Sequence, residues 1–150
     1  MPSEYPATAL ELRSTLTDDG VVTLAIRGTG VADPGDDQVV VRVEAAPINP
    51  SDLGMMFAGG DPSAGLPAGD GIHDAVAVPV TEAAVAAQRA RLGKPMPVGN
   101  EGGGVVVAAG SSPAAQALLG RTVGFLSGNA YAQYRTLHVS QCPVSYTHLT

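Results

Sequence analysis

The chain has 150 residues, 45% of them hydrophobic and 15% charged, which is the balance of a folded domain and not of a disordered one. A formal net charge of -6 with no basic cluster excludes a nucleic-acid-binding surface. A single cysteine, Cys142, excludes an intrachain disulfide and a cysteine-based zinc site, and no apolar run reaches the length of a membrane-spanning helix.

Nineteen glycines, twelve prolines and few aromatic residues predict short strands joined by tight turns. The N-terminus lacks the apolar stretch of a signal peptide, so the cytoplasm is the expected compartment. Strands are predicted over 7–14 and 21–26, and the Thr17-Asp18-Asp19-Gly20 turn between them has the Asp-Gly ending of a hairpin. After a Gly, Asp and Pro-rich loop over 28–37 comes the clearest strand, 38–46. Its run of Val39, Val40, Val41 and Val43 passes from full burial to alternation. Pro47 and Pro50 stop it, and 50–57 opens a short helical turn. Residues 58–71 hold five glycines and two prolines and read as a loop. A strand over 72–80 follows, then a helix over 82–92 with Thr81 as its N-cap and Gly93 closing it. Strands over 104–109, 122–126 and 131–139, with one or two helical turns in 113–119, complete the set. Many strands and few helices predict a mainly β barrel or sandwich.

The end of the chain is a separate matter. Residues 143–150 are expected to be a non-native tail, because VSYTHLT at 144–150 resembles the in-frame translation of a sequencing-library adapter.

Two short segments carry the chemistry: INPSDL at 48–53 and VGNEGGGVVVAAG at 98–110. With VVVRVEAAP before the first, and GRTVGFL and GNAYAQY after the second, their order and phasing resemble the N-terminal GroES-like domain of the medium-chain dehydrogenase/reductase superfamily. The resemblance runs from about residue 7 to 142. In the zinc-dependent members the first segment carries a cysteine and the second a His-Glu pair, which together hold zinc. Asn49 and Asn100 stand at those positions here, and an amide replaces thiolate or imidazole poorly. The chain therefore resembles the zinc-independent, quinone-oxidoreductase-like branch.

That resemblance implies a mainly β fold, a GroES-like β-barrel with short helices and one inserted β-α segment. It implies that the full-length protein passes a hydride between NADPH or NADH and a small-molecule quinone, enone or carbonyl, without zinc and as a homodimer. The nucleotide-binding Rossmann half is expected to be missing from this chain, leaving the fragment inactive alone. Gly99–Gly104 is no substitute for it: GNEGGG lacks the G-x-G-x-x-G spacing and leads into a strand. The alternative reading is a stand-alone barrel acting as a non-catalytic binding module.

The resemblance also implies a set of site residues. Asn49 is placed beside the nicotinamide, as a catalytic and cofactor-binding amide, although Asn-Pro-Ser-Asp is equally suited to local turn chemistry. Asp52 either orients neighbours and relays protons or caps the helix. Asn100 and Glu101 belong to the substrate pocket. Tyr131 borders the cofactor cleft or, with Tyr134, packs on a strand. No metal site is expected, since His73, His138 and His148 show no ligand spacing. Enoyl-reductase relatives carry a proton-donating tyrosine soon after INPSD, and MMFAGGD at 55–61 has none. Finally, 48 positions separate Asp52 from Asn100, far more than the resemblance implies. An insertion over about 58–96 is expected to form a lid or a dimer contact.

Overall fold

The hairpin expected at Asp19-Gly20 starts the structure, a computed structural model that describes residues 4–70 and 74–144. Gly20 adopts φ 79°, a left-handed conformation that its missing Cβ permits, and so turns β1 (Thr8–Leu16) into β2 (Val21–Gly30). These strands form the middle of a five-stranded antiparallel sheet with β4 (Leu66–Pro67), β5 (Ala75–Pro79) and β6 (Met96–Pro97), in the order β4-β5-β2-β1-β6. A second antiparallel sheet has the order β8-β7-β3-β9, from β3 (Gln38–Ala45), β7 (Glu101–Ala109), β8 (Thr122–Leu126) and β9 (Tyr134–His138). The helices are short: α1 (Pro50–Phe57), α2 (Glu82–Ala87) and α3 (Pro113–Gln116). None of the described helices is long and apolar enough to cross a membrane.

The chain divides into two compact units. The first comprises the described parts of Met1–Leu10, Gly28–Pro47 and Gly99–Thr150. Its core is Val39, Val41, Val106, Ala115, Val123, Phe125, Ala130, Leu137 and Cys142. The continuous valine run of β3 is buried, Val39 to Val41 completely, and β3 pairs with β7 on one side and β9 on the other, with register shifts against β7 at Val40/Val41 and Val43/Ala45. The second unit comprises Glu11–Arg27 and Ile48–Val98. Leu16, Val22, Ala58 and Val78 form its core, with Phe57, Val76, Val80, Val85 and Leu92 packed against them.

The mainly β class is as expected, and the departures have local causes. The loop over 58–71 contains a 3-10 turn at Pro62–Ala64 and the two-residue strand β4. The strand expected over 72–80 is seen as Ala75–Pro79, and its expected start at Ile72 lies outside the described residues, as does 145–150. The helix expected over 82–92 begins as expected, with Thr81 Oγ1 accepting the Ala84 N–H at 3.2 Å, but ends at Ala87. Gln88 leaves the helical conformation at φ -117° while its side-chain amide donates to the carbonyls of Ala58 (2.9 Å) and Ala84 (3.2 Å). A 3-10 turn, Arg89–Arg91, replaces the rest. β7 starts three residues before the expected Gly104, because Phe125 covers Gly102 and makes the glycines part of the strand. β9 starts at Tyr134 and not at 131.

The segment over 58–96 is not an appended excursion. β5 hydrogen-bonds to β2 along its length, with Val22 opposite Val78, and Val78 is fully buried in the core of the second unit. Removing this segment would leave Leu16 and Val22 without their packing partner.

Candidate functional site

The residues singled out in the sequence fall into two groups. The first is the start of α1. Pro50 at the first helical position has no N–H to satisfy and a pre-set φ, so the helix begins directly after Asn49, whose backbone is extended (φ -92°, ψ 159°). Asp52 sits one turn in. Its Oδ2 accepts the Asn49 N–H at 2.7 Å, and its own N–H donates to the Asn49 carbonyl at 2.9 Å. The side chain is almost wholly buried, at 1% exposure. A carboxylate there is stabilised by the positive end of the helix as well as by the bond. Of the two roles the sequence allowed, Asp52 is found in the capping one, fixing the backbone of Asn49. Asn49 itself is half-buried, and Ile48 beside it is 69% exposed.

The other end of α1 is held by residues that the sequence reading missed. Ser14 on β1 is fully buried, and its Oγ donates to the Met56 carbonyl at 2.8 Å. Arg91 Nη2 donates to that same Oγ at 2.7 Å, and Arg91 Nη1 donates to the Met55 carbonyl at 3.1 Å. The Nε of Arg91 is buried without a hydrogen-bond partner. Burial pushes the guanidinium pKa down, yet an arginine stays charged, so a cation faces the carbonyl end of the helix dipole. The only signal for Ser14 in the sequence is its place two residues before the buried Leu16, on the same side of β1. A polar residue beside a core leucine implies a partner without naming it.

The second group is centred on Gly99. Its φ of 90° is left-handed, and an added Cβ would lie 2.7 Å from Tyr131 Cδ1 and 2.8 Å from the Tyr131 nitrogen. Glycine is therefore required for the tyrosine ring to lie on this turn. The Gly99 carbonyl accepts the Ala130 N–H at 3.0 Å, and the Asn100 carbonyl accepts the Ser127 N–H at 3.2 Å. The Tyr131 hydroxyl donates to the Pro47 carbonyl at 2.8 Å, so it tethers the chain two residues before Asn49. Asn100 is exposed. Glu101 opens β7, half-buried, and lines a hollow of about 540 Å³ with Phe125, Leu126, Gln141 and Pro143. A second hollow, of about 530 Å³, lies between the Asp18–Gly20 turn and α2, away from every residue that the sequence predicted.

Asn49 and Asp52 are thus brought together on α1, and Asn100, Glu101 and Tyr131 around Gly99. Among the described residues no three of His, Cys, Asp and Glu converge as metal ligands would. Cys142 is buried, which pushes its thiol pKa up, and its Sγ lies 3.7 Å from the His138 carbonyl.

No family model matches the chain, and no curated protein matches it. Solved structures do. A protein named as an NADPH:quinone reductase from Mesorhizobium loti is 23% identical, with a TM-score of 0.56 over 93% of this chain and 37% of its own. A second protein of that name, from Bacillus thuringiensis, is 20% identical, with a TM-score of 0.57 over 93% of this chain and 34% of its own. A protein named as a short chain alcohol dehydrogenase from Escherichia coli CFT073, solved with NADH, is 14% identical, with a TM-score of 0.57 over 93% of this chain and 39% of its own. These likenesses show the fold: a mainly β, GroES-like domain. The chain spans little more than a third of the length of the structures it matches.

Proposed function

We propose that this chain is the substrate-side domain of a zinc-independent, NAD(P)H-dependent oxidoreductase acting on a quinone, enone or carbonyl. The observation that carries the reading is a fold shared over 93% of the chain with proteins named as NADPH:quinone reductases, with amides at positions 49 and 100. The rest of such an enzyme, including its nucleotide-binding half, lies outside these 150 residues, and the intact protein is a homodimer.

The nicotinamide, when bound, supplies the hydride. The chain's own residues supply position. The Asn49 carboxamide offers both a donor and an acceptor, so it can pair with the nicotinamide carboxamide or with the oxygen of a substrate carbonyl. Asp52 fixes the backbone from which that amide projects. Tyr131 holds Pro47 through its hydroxyl, lays its ring on Gly99, and is assigned to the border of the cofactor cleft. Asn100 and Glu101 present polar groups to the substrate. Zinc has no part in this reading, because carboxamides at 49 and 100 are poor ligands for it.

The test is NADPH and NADH oxidation by the full-length protein with a benzoquinone and an enone as acceptors. The expected result is acceptor-dependent oxidation that Asn49→Ala slows about tenfold or more through lost orientation. No oxidation with either acceptor overturns the reading. If the protein instead binds small ligands without turnover, the stand-alone module is the better account.

A further inference from the structure

We infer that Arg91 and Ser14 are positioning residues of the proposed site, a buried fork that sets the end of α1 and thereby the pose of Asn49 and Asp52. The inference rests on the functional reading above for its catalytic consequence, though not for its geometry.

The last carbonyls of α1 have no partner within the helix, and a helix of eight residues has little stability of its own. The segment is closed by Ala58, which takes the left-handed conformation (φ 52°) without being glycine and donates its N–H to the Gly54 carbonyl at 3.0 Å. A non-glycine residue stays there only if its surroundings hold it. They do so with three side chains from outside the helix. Ser14 takes the Met56 carbonyl, Arg91 takes the Met55 carbonyl, and Gln88 takes the Ala58 carbonyl at 2.9 Å.

Arg91 is the hub of this arrangement. One terminal nitrogen reaches Met55, and Gln88 Oε1 at 3.3 Å; the other reaches Ser14 Oγ at 2.7 Å. A guanidinium does this with two rigidly spaced donors, which an ammonium cannot imitate. The fork comes from the 3-10 turn that ends the helical expectation over 82–92, and so gives that irregular backbone a purpose. Met56 lies only seven positions after Asn49, so a shift at the last turn moves the whole eight-residue helix.

Two measurements decide the inference. On this 150-residue chain, amide exchange by NMR in Arg91→Ala should rise at least about tenfold at Asp52 and Ala58. Exchange at Val40 and Val41 on β3 should be unchanged. Ser14→Ala should give the same pattern more weakly, and Arg91→Lys should not restore protection. Unchanged exchange at Asp52 and Ala58, a uniform rise over both sheets, or full restoration by lysine would each overturn the fork. In the full-length protein, the single-turnover rate constant for NADPH oxidation by benzoquinone should fall about tenfold in Arg91→Ala. Its amplitude, which reports the folded fraction, should not. A lost amplitude at constant rate would make Arg91 merely structural. A wild-type protein with no turnover would defeat the functional reading instead, and the exchange data would then decide the geometry alone.

Discussion

Replacing Gly99 by alanine isolates how the second group of site residues is built. Two penalties add there. A left-handed backbone costs an L-residue about 1–2 kcal/mol. The new methyl carbon would also stand 2.7 Å from Tyr131 Cδ1 and 2.8 Å from the Tyr131 nitrogen. The backbone atom cannot rotate away, so overpacking adds about 1–3 kcal/mol more. Gly99→Ala should therefore destabilise the chain by roughly 2–5 kcal/mol, lowering Tm by roughly 5–20 °C in a domain of this size. Gly128 is the control. Its φ is 74°, but nothing lies within 4 Å of an added Cβ, so Gly128→Ala should lose only the backbone part. Thermal unfolding followed by circular dichroism gives the difference between the two. With four tyrosines and no tryptophan the near-ultraviolet signal is dominated by tyrosine, and displacement of the Tyr131 ring should change it in Gly99→Ala and not in Gly128→Ala. Equal Tm values for the two variants, or Gly99→Ala close to wild type, would refute the contact and with it the placement of Tyr131.

Asp52→Ala removes the acceptor for the Asn49 N–H and should cost about 1–2 kcal/mol, read from urea unfolding; a neutral result would mean that the cap is made otherwise. Tyr5 supplies a pH dependence. Its hydroxyl donates to Asp33 Oδ1 at 2.6 Å, and that bond, followed by burial and the Asp33 charge, holds the phenol pKa above its ordinary value. The folded state therefore favours the protonated phenol. This stability is present below about pH 10 and is lost as pH rises through the raised folded value. Stability should fall more steeply above pH 10 in the wild type than in Tyr5→Phe, and identical slopes would count against the bond.

Much of the fold was legible because burial imposes a period. The valine run of β3, the strand Thr122–Leu126 and the helix Pro50–Phe57 follow from apolar spacing and from prolines that stop one element and start the next. The strand expected from Gly104 begins already at Glu101, where Gly102 makes room for Phe125. β4 and β6, two residues each, are too short to show a period. The end of α2 depended on where the Gln88 amide finds acceptors, one of them 30 residues away.

The site divides in the same manner. The Asn49 and Asp52 pairing is three residues long and readable as a capping pattern. The Arg91 and Ser14 pairing spans 77 residues, and no local pattern announces a hydrogen bond over that distance. Tyr131 was expected on a strand, but it precedes β9 and is fixed by Gly99 and Pro47.

The most direct measurement is to sequence the source locus across codon 142 and several hundred bases beyond. A domain of a longer oxidoreductase requires an open frame encoding a strand, a glycine-rich turn and a helix, the pattern of a dinucleotide-binding fold. A stop codon at or soon after Thr150 would contradict it and leave a stand-alone barrel whose ligands remain to be sought.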